Sequence, residues 1–271
     1  MSSNTNDRWD FAGIAEGYEK YLVPVLAMWS DELFEMTDLK PDDDVLDVAC
    51  GTGIVLRKAA SRLGRNATLA GVDIEPAMLD VARTFNTDFE VPVEWVESDA
   101  AEMPVDDESV DVVYCQQGLQ FMPEPARAIE EMHRVLRPGG RMAISVWGPL
   151  ENTPGYAAMT DAVEKHLGDE PAAMMRAPFL LNDPKSLTGL ADDAGFKNAD
   201  VRAVSREVRH PSPEEFFRRE VVSWLAGAIG ELDDNDRRAV VTDLDERLRS
   251  HIDDQGLRFS MEALIMSARK E

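Results

Sequence analysis

The sequence predicts an α/β fold built on a doubly wound, mostly parallel sheet. Between residues 44 and 148, short apolar runs rich in β-branched residues alternate with segments that have the 3.6-residue spacing of helices. The first of these runs ends in the glycine loop Gly51-Thr52-Gly53. Strands that alternate with helical crossovers form parallel sheets buried on both faces. With 271 residues, 44% of them hydrophobic, the chain can bury a full core, so we expect one large domain or a domain with a cap.

Three strands and two helices are predicted for the first half of this alternating region. We expect the strands at residues 44–49, 68–72 and 93–96. The spacing of apolar residues predicts the first helix at residues 54–63, packed on the sheet. The second helix begins at Pro76, because proline is tolerated in a first helical turn.

The second half of this alternating region is predicted to have two more strands and a helix between them. A strand is predicted at residues 110–115, and a helix follows at residues 125–136. Arg137-Pro138-Gly139-Gly140 should end that helix, since proline and glycine do not continue one. The fifth strand is expected at residues 142–147.

The flanking regions are predicted to be mostly helical. The expected elements are an N-terminal helix at about 15–36, helices at 184–194, 213–229 and 233–252, and strands at 199–208 and 257–268. Segments 149–183 and 211–256 are then insertions over the functional end of the sheet. We therefore divide the chain into an N-terminal helical segment (1–43), a core (44–148) and a cap with the last two strands (149–271).

The charge balance indicates which partners and which ionic environment the protein favours. Fifty-two acidic residues against 28 basic ones give a net charge of −24. Self-repulsion of this size is tolerated where salt screens it, so we expect a halophilic host with an acidic proteome. The acidic chain also argues against nucleic-acid partners, which are bound by basic patches.

Targeting and cysteine signals are weak. We find no run of about 18 uncharged apolar residues and no basic-then-apolar start, so we expect a cytoplasmic protein without a membrane span. Cys50 and Cys115 have neither ligand-type spacing nor a nearby histidine, which predicts no metal site. The favoured interpretation is that both cysteines are small, buried hydrophobic residues.

The glycine loop predicts a nucleoside site rather than a pyrophosphate site. The third glycine of the dinucleotide fingerprint would fall where Leu56 stands. A lone Gly-x-Gly is also compatible with a bare strand-to-helix turn. However, Asp73 follows Gly51 by 22 residues and ends the second strand, where a carboxylate can accept hydrogen bonds from ribose hydroxyls. Asp99 follows the third strand and could accept from an adenine amino group.

Four stretches together resemble a known family. VLDVACGTG, GVDIEPAML, ESDAAEMPVDDESVDVVYCQQGLQFM and EEMHRVLRPGGRMAISVW are similar to the successive motifs of class I S-adenosylmethionine-dependent methyltransferases. Within that family, the chain most resembles the small-molecule group that includes the ubiquinone and menaquinone C-methyltransferases. The resemblance covers about residues 44–148. It implies a seven-stranded Rossmann-like sheet of order 3-2-1-4-5-7-6 with strand 7 antiparallel, and S-adenosylmethionine as cofactor.

The resemblance also implies a set of cofactor-binding residues. Those around the methionine moiety are Asp47, Ala49, Gly51 and Gly53. Those on the nucleoside are Asp73, Ile74, Met78, Asp99 and Ala100, and those beside the sulfonium are Cys115, Gln116 and Gln117. Tyr21, or its neighbour Tyr18, could close over the cofactor, although helix packing explains either residue equally well.

The methyl acceptor is predicted to be small and apolar or aromatic. Residues expected at its site are Gln120, Trp147, Tyr156, Met174 and Phe179. No catalytic residue is assigned, because alignment of the acceptor, methyl and sulfur can supply about 7–11 kcal/mol. A general base is needed only if the attacking atom carries a proton. The histidines show no useful partner, and none is assigned a role.

Three functions compete with methyl transfer to a small molecule. A non-catalytic or regulatory protein that binds the cofactor is the main alternative, since no invariant catalytic side chain exists to inspect. A nucleic-acid methyltransferase is disfavoured because Cys115-Gln116-Gln117-Gly118 stands where an Asn/Asp-Pro-Pro-aromatic motif would be expected. A nicotinamide-dependent oxidoreductase is weaker still because of Leu56. The sequence leaves open the acceptor, the atom methylated and the oligomeric state.

Overall fold

The fold is taken from a computed structural model that describes residues 14–85, 91–225 and 232–271. Within these ranges the strands form one sheet in the order β3-β2-β1-β4-β5-β8-β6, and β7 pairs with β8 at its edge. The strands are β1 (Val45–Val48), β2 (Leu69–Asp73), β3 (Val93–Glu97), β4 (Val110–Gln116), β5 (Leu136–Trp147), β6 (Lys197–His210), β7 (Ile252–Asp253) and β8 (Gly256–Arg269).

The expected strand order is confirmed. Strands β1 to β5 pair in parallel, and β8 lies antiparallel between β5 and β6. Since β7 is only two residues long, β8 takes the place of the expected seventh strand. The predicted strand bounds agree to within two residues except in β5.

Strand β5 begins six residues earlier than predicted. Val110 pairs with Leu136 and Val112 with Arg141, so the segment expected to be only a helix stop forms a bulged start of the strand. Gly139 adopts φ 83° and donates its backbone N–H to the Lys270 carbonyl at 2.8 Å. Pairing with β4 and the bond to Lys270, which follows β8, therefore override the local proline and glycine signal.

Helices cover both faces of the sheet. They are α1 (Ala15–Gly17), α2 (Val23–Leu26), α3 (Ser30–Thr37), α4 (Ile54–Ala60), α5 (Pro76–Thr84), α6 (Pro125–Val135), α7 (Pro154–Leu167), α8 (Asp169–Arg176), α9 (Pro184–Asp193), α10 (Pro213–Glu220) and α11 (Asp234–Arg247). Ser212 caps α10 by accepting the Glu215 backbone N–H at 3.0 Å.

The continuous N-terminal helix predicted at 15–36 is wrong. A π-helical turn at Tyr18–Leu22 separates α1 from α2, and residues 27–29 break the chain again before α3. Pro24 has no backbone N–H to donate inside a helix. The second break is anchored by Trp29, whose Nε1 donates to the Val204 carbonyl at 2.8 Å.

Three other predicted helices are shorter in the structure. The helix at 54–63 ends at Ala60, and the one at 233–252 ends at Arg247, before a 3₁₀ turn at Arg249–His251. The helix at 213–229 becomes a π-helical turn at Val221–Leu225, and its remaining residues lie outside the described part of the chain.

The sheet is buried on both faces, as expected. Val112 and Tyr114 pack into one core cluster, and Val113 and Cys115 pack into the other, because successive side chains of a strand point to opposite faces. The Phe34 ring meets Tyr114 edge-on at 5.3 Å. Among the described residues, no helix is both long and apolar enough to cross a bilayer.

Candidate functional site

A cavity of about 650 Å³ opens at the carboxyl ends of the parallel strands. This is where doubly wound sheets bind ligands, and the size is typical of small-molecule sites. One residue at or just after each strand from β1 to β5 lines it: Gly51, Asp73, Asp99, Gln116 and Trp147. Further lining residues predicted from the sequence are Ala49, Ile74, Met78, Ala100, Gln117, Tyr156 and Phe179.

The glycine loop is shaped by left-handed backbone conformations. Gly51 and Gly53 have φ values of 55° and 84°, a region that glycine enters at no steric cost. A Cβ on Gly53 would stand 2.4 Å from the Trp95 ring. Gly53 lies outside the cavity lining, so its role in this structure is to let the loop pass close to that ring.

Two residues other than glycine in the cavity wall also adopt positive φ. Ala49 follows β1 with φ 55°, and Gln117 follows β4 with φ 56°. Such backbone conformations cost energy for residues with a Cβ and cluster at functional sites. Both residues stand at strand ends that face the cavity. Three other non-glycine residues with positive φ among those described, Asp38, Glu108 and Asn198, lie outside the lining.

Asp73 is held in place by the backbone. Its Oδ2 accepts the Gly51 N–H at 2.7 Å, and its Oδ1 accepts the Glu75 N–H at 2.9 Å. Burial raises the pKa of this carboxyl, and the hydrogen bonds from the amides oppose that rise. The side chain is thus fixed at the end of β2, with its carboxylate at the cavity wall.

Asp47 is a buried carboxyl without a hydrogen-bond partner among the described residues. Its residue is 1% exposed, and neither carboxylate oxygen is paired. Burial, followed by the proximity of Asp73, raises its pKa well above the usual range. Asp47 is not part of the cavity lining, yet an unsatisfied acidic group at this position suits a nearby cation.

Of the two N-terminal tyrosines, Tyr18 lines the cavity and Tyr21 does not. Tyr18 packs against Gly51, and burial followed by the charges of Asp73 and Asp47 raises the pKa of its hydroxyl. The Tyr21 hydroxyl instead accepts a hydrogen bond from Arg218 at 3.3 Å. Of the two tyrosines that the sequence offered, the structure therefore places Tyr18, and not Tyr21, in the cavity wall.

The glutamines after β4 play structural parts as well as lining the site. Gln116 accepts from Ser30 Oγ at 2.9 Å and donates to the Leu26 carbonyl at 2.6 Å, which fastens the N-terminal helices over β4. Gln120 lies outside the lining and donates to Gln117 Oε1 at 2.8 Å. Gln120 therefore supports Gln117 rather than lining the cavity itself.

The two cysteines are buried free thiols. Cys115 lies outside the lining, in the core cluster beneath Gly118, where burial raises its pKa to about 12. Burial also raises the pKa of Cys50. Both thiols are therefore protonated at neutral pH. The resemblance implied Cys115 beside the sulfonium, but in the structure Cys115 does not line the cavity. Among the described residues, no group of three His, Cys, Asp or Glu side chains could hold a metal ion.

Aromatic residues form the other side of the cavity. Trp147, Tyr156 and Phe179 line it as the sequence predicts, whereas Met174 does not. Four lining residues on this side were not predicted from the sequence, and they are Phe121, Met122, Pro178 and Trp224. Phe121 and Met122 lie in a stretch already matched to the family motifs, but Trp224 follows α10 without any local signal.

Glu220, which no sequence pattern indicated, connects two of these aromatic residues. Its Oε2 accepts the Tyr156 hydroxyl at 2.8 Å and the Trp224 Nε1–H at 2.5 Å. Burial raises the pKa of this carboxyl to about 7, against the opposing effect of the two donors.

Comparison with known protein families gives one clear match. Residues 46–144 match the family described as a methyltransferase domain. This range covers β1 to β5 up to Ile144, and it includes most of the strand ends that line the cavity.

Curated relatives carry related names. The chain is 36% identical over 119 residues to the ubiquinone/menaquinone biosynthesis C-methyltransferase UbiE of Ectopseudomonas mendocina, covering 43% of this chain and 46% of that protein. It is 26% identical over 211 residues to a demethylmenaquinone methyltransferase of Staphylococcus epidermidis, covering 74% and 85%. The match thus spans only about half the length of several such relatives.

A solved structure shares the fold. Phosphoethanolamine N-methyltransferase 2 of Haemonchus contortus, in complex with phosphomonomethylethanolamine and S-adenosylhomocysteine, superimposes with a TM-score of 0.57. It is 18% identical, and the match covers 90% of this chain and 52% of that one. At this level of identity the likeness concerns the fold alone.

Proposed function

Because this chain carries a class I S-adenosylmethionine-dependent methyltransferase domain and resembles the quinone-biosynthesis group, we propose that it transfers a methyl group to a small aromatic acceptor of the quinol type. The observation that carries this proposal is the continuous cavity that joins Asp73 and Gly51 to a wall of aromatic side chains. The relatives named as demethylmenaquinone and ubiquinone methyltransferases supply the acceptor class.

The cofactor side offers groups suited to each part of S-adenosylmethionine. Asp73, fixed by two amides, can accept hydrogen bonds from the ribose hydroxyls. Asp99, Ala100, Ile74 and Met78 also line the cavity. In this proposal Asp99 and Ala100 meet the edge of the adenine, and Ile74 and Met78 pack against its ring. The unpaired carboxylate of Asp47 fits the charge of the cofactor's ammonium group.

The acceptor side is suited to a flat ring. Trp147, Tyr156, Phe179 and Trp224 form a largely apolar wall that carries one hydroxyl and two indole N–H groups. Side chains of this kind bind ring systems through offset and edge-on contacts.

Bound S-adenosylmethionine supplies an electrophilic methyl group on a good leaving group, so the protein has little covalent chemistry to perform. The protein's contribution is to hold the acceptor against the methyl group in line and to exclude water, which can lower the barrier by about 7–11 kcal/mol. The rigid strand ends fix the cofactor side, and the packed aromatic wall fixes the acceptor.

Calorimetric titration of S-adenosylmethionine and S-adenosylhomocysteine tests the cofactor half of the proposal. We expect binding by the wild type and at least about 100-fold weaker binding by Asp73→Ala, since two hydrogen bonds to a charged group are lost. Asp80→Ala is the matched control, because Asp80 lies on the neighbouring helix α5, is exposed and pairs with Arg83. Folded wild type that binds neither compound would contradict the proposal.

Turnover tests the transfer itself and the alternative function. With 2-prenyl-1,4-naphthoquinol as acceptor, the wild type should form S-adenosylhomocysteine and a product heavier by one methylene. Cofactor binding without turnover on this or related quinols would favour the non-catalytic, cofactor-binding alternative.

A further inference from the structure

A buried carboxyl and two cavity-lining aromatic residues form a hydrogen-bonded group on the acceptor side. Tyr156 belongs to α7, Glu220 ends α10, and Trp224 lies in the π-helical turn that follows. Both donors line the cavity, whereas Glu220 does not, and only 3% of its surface is exposed. Any effect of the carboxyl on a bound acceptor must therefore pass through Tyr156 or Trp224.

The Glu220 carboxylate has no compensating cation among the described residues. The nearest arginines on its own helix, Arg218 and Arg219, pair with Glu215 at 2.7 and 2.8 Å. On β6, His210 packs against Phe216 at 4.5 Å, and burial lowers its pKa to about 4, so it is neutral.

The other elements packed against α10 also leave Glu220 unpaired. On α11, Asp243 pairs with Lys165 of α7 and Arg247, and Tyr21 of the N-terminal turn faces Arg218. Burying a carboxylate without a cation costs stability. A structural role alone would be served as well by a neutral amide, which accepts the same two hydrogen bonds.

We propose that Tyr156 and Glu220 form a proton-accepting pair for a methyl acceptor that carries a protonated hydroxyl on its aromatic ring. This inference rests on the proposed function and deepens it. Tyr156 is the catalytic residue because it lines the cavity and its hydroxyl donates its proton to Glu220, which does not line it. Glu220 is a positioning residue that acts through Tyr156.

The proton movements balance. The acceptor O–H bond breaks and its proton passes to the Tyr156 oxygen, while the Tyr156 proton passes to Glu220 Oε2. The methyl–sulfur bond breaks, and the methyl group bonds to the ring carbon beside the hydroxyl or to the oxygen itself. When the methyl group bonds to carbon, the resulting ketone regains aromaticity by moving its C–H proton to oxygen.

The charges balance as well. Transfer removes the positive charge of the sulfonium, and protonation removes the negative charge of Glu220. In a cavity of low effective dielectric, losing both charges together avoids leaving either one buried without its counterpart. The proton taken up by Glu220 returns to solvent after the product leaves.

The test is the pH dependence of kcat/KM with 2-prenyl-1,4-naphthoquinol as acceptor. In the wild type we expect a limb that rises with pH and has its midpoint near 7, where Glu220 becomes charged. Glu220→Gln and Tyr156→Phe should lose this limb and fall about 100-fold at pH 8. Both should bind S-adenosylmethionine within about twofold of the wild type, which separates a proton role from a folding defect.

Two further variants sharpen the result. Trp224→Phe keeps a ring but removes a donor to the carboxylate, so the midpoint should move to higher pH. Tyr114→Phe is the matched control, because it removes another buried tyrosine hydroxyl, bonded to Thr37 at 2.7 Å and outside the cavity. Its pH profile should match that of the wild type.

An acceptor whose hydroxyl ionises more readily should restore activity to the Glu220→Gln variant. The same quinol fluorinated on its second ring has a more acidic hydroxyl, and it should restore Glu220→Gln to within about tenfold of the wild type at pH 8. An active wild type whose rising limb survives in Glu220→Gln, or a failed rescue, would overturn the inference alone. A wild type that forms no S-adenosylhomocysteine would overturn the proposed function and the inference with it.

Discussion

The two sides of the cavity are built by different means. On the cofactor side, backbone amides and short acidic side chains stand at the ends of β1, β2 and β3, and Asp73 is fixed by two N–H groups. On the acceptor side, Trp147, Tyr156, Phe179 and Trp224 come from a strand and three helical segments. Their geometry depends on side-chain packing and on one buried carboxyl.

This difference predicts how each side responds to change. A site made from backbone conformation should fail when that conformation becomes strained, with stability and cofactor affinity falling together. A site made from packed side chains should lose acceptor affinity or proton transfer while the cofactor still binds. We expect the largest effect from a change in the glycine loop and the smallest from salt.

Gly53→Ala should be the most damaging single change on the cofactor side. The new Cβ would meet the Trp95 ring at 2.4 Å in a left-handed conformation, so we expect the free energy of unfolding to fall by about 3–4 kcal/mol. Urea denaturation measures this value. The control is Gly189→Ala in α9, where a Cβ meets nothing within 4 Å. Replacing this helical glycine by alanine should leave the free energy of unfolding unchanged or raise it by up to about 1 kcal/mol.

Glu220 should give the acceptor side a distinct pH dependence of stability. Its folded pKa of about 7 lies above its usual value of 4.5, so between these pH values the folded state binds more protons than the unfolded state. The free energy of unfolding should therefore fall by about 3 kcal/mol as pH rises through this window, and then level off.

The matching variants isolate that contribution. Glu220→Gln should lack this fall when compared with the wild type in urea titrations at pH 5 and pH 8. Glu215→Gln on the same helix is the control, since the hydrogen bonds from Arg218 and Arg219 lower the pKa of Glu215 to about 2, below the window. An identical pH dependence in the wild type and Glu220→Gln would contradict the assignment.

Phe179→Ala should affect the acceptor without affecting the cofactor. The ring lies at 5.8 Å from that of Tyr156 in the cavity wall, so its loss should raise the KM for 2-prenyl-1,4-naphthoquinol about tenfold. The dissociation constant of S-adenosylmethionine should stay within about twofold. Leu180→Ala is the control, because the neighbouring Leu180 is 76% exposed and does not line the cavity. Equal losses for acceptor and cofactor would remove the distinction between the two sides.

Salt should change the thermal stability of the whole molecule, with no particular effect on either side of the cavity. With a net charge of −24, screening by molar KCl should raise the melting temperature by several degrees, since the Debye length falls to about 3 Å. Thermal scans in low and molar KCl measure the shift, with sucrose of equal osmolality as control. A constant melting temperature would remove the halophile hypothesis.

Most of the fold follows from local patterns. The alternation of apolar runs and helical spacing predicted β1 to β4 within two residues, because a strand buried on both faces has a nearly continuous apolar signal. The failures occurred where distant partners decide the backbone. Strand β5 starts early because Leu136 pairs with Val110 of β4 and Gly139 bonds to Lys270 just after β8. The N-terminal helix breaks where Trp29 bonds to β6.

The candidate site divides in the same way. Asp73, Asp99 and the residues after β4 could be predicted because each stands at a strand end, where parallel topology brings them to one edge. The choice between Tyr18 and Tyr21 depended on a π-helical turn that no spacing rule anticipates. Glu220 could not be found from the sequence, because nothing local distinguishes it from the surface acids around it.

The sequence by itself determined the α/β class, the glycine loop and the acidic groups of the cofactor side, since each depends on short-range patterns and on the rules of parallel topology. The strand order came from the resemblance of its motifs to a known family. Only the tertiary structure decided which tyrosine lines the cavity and which aromatic residues form its far wall. It also decided that one glutamate of α10 is buried against α7. The physical reason is that burial and side-chain contacts between residues far apart in the chain exist only once the elements have packed.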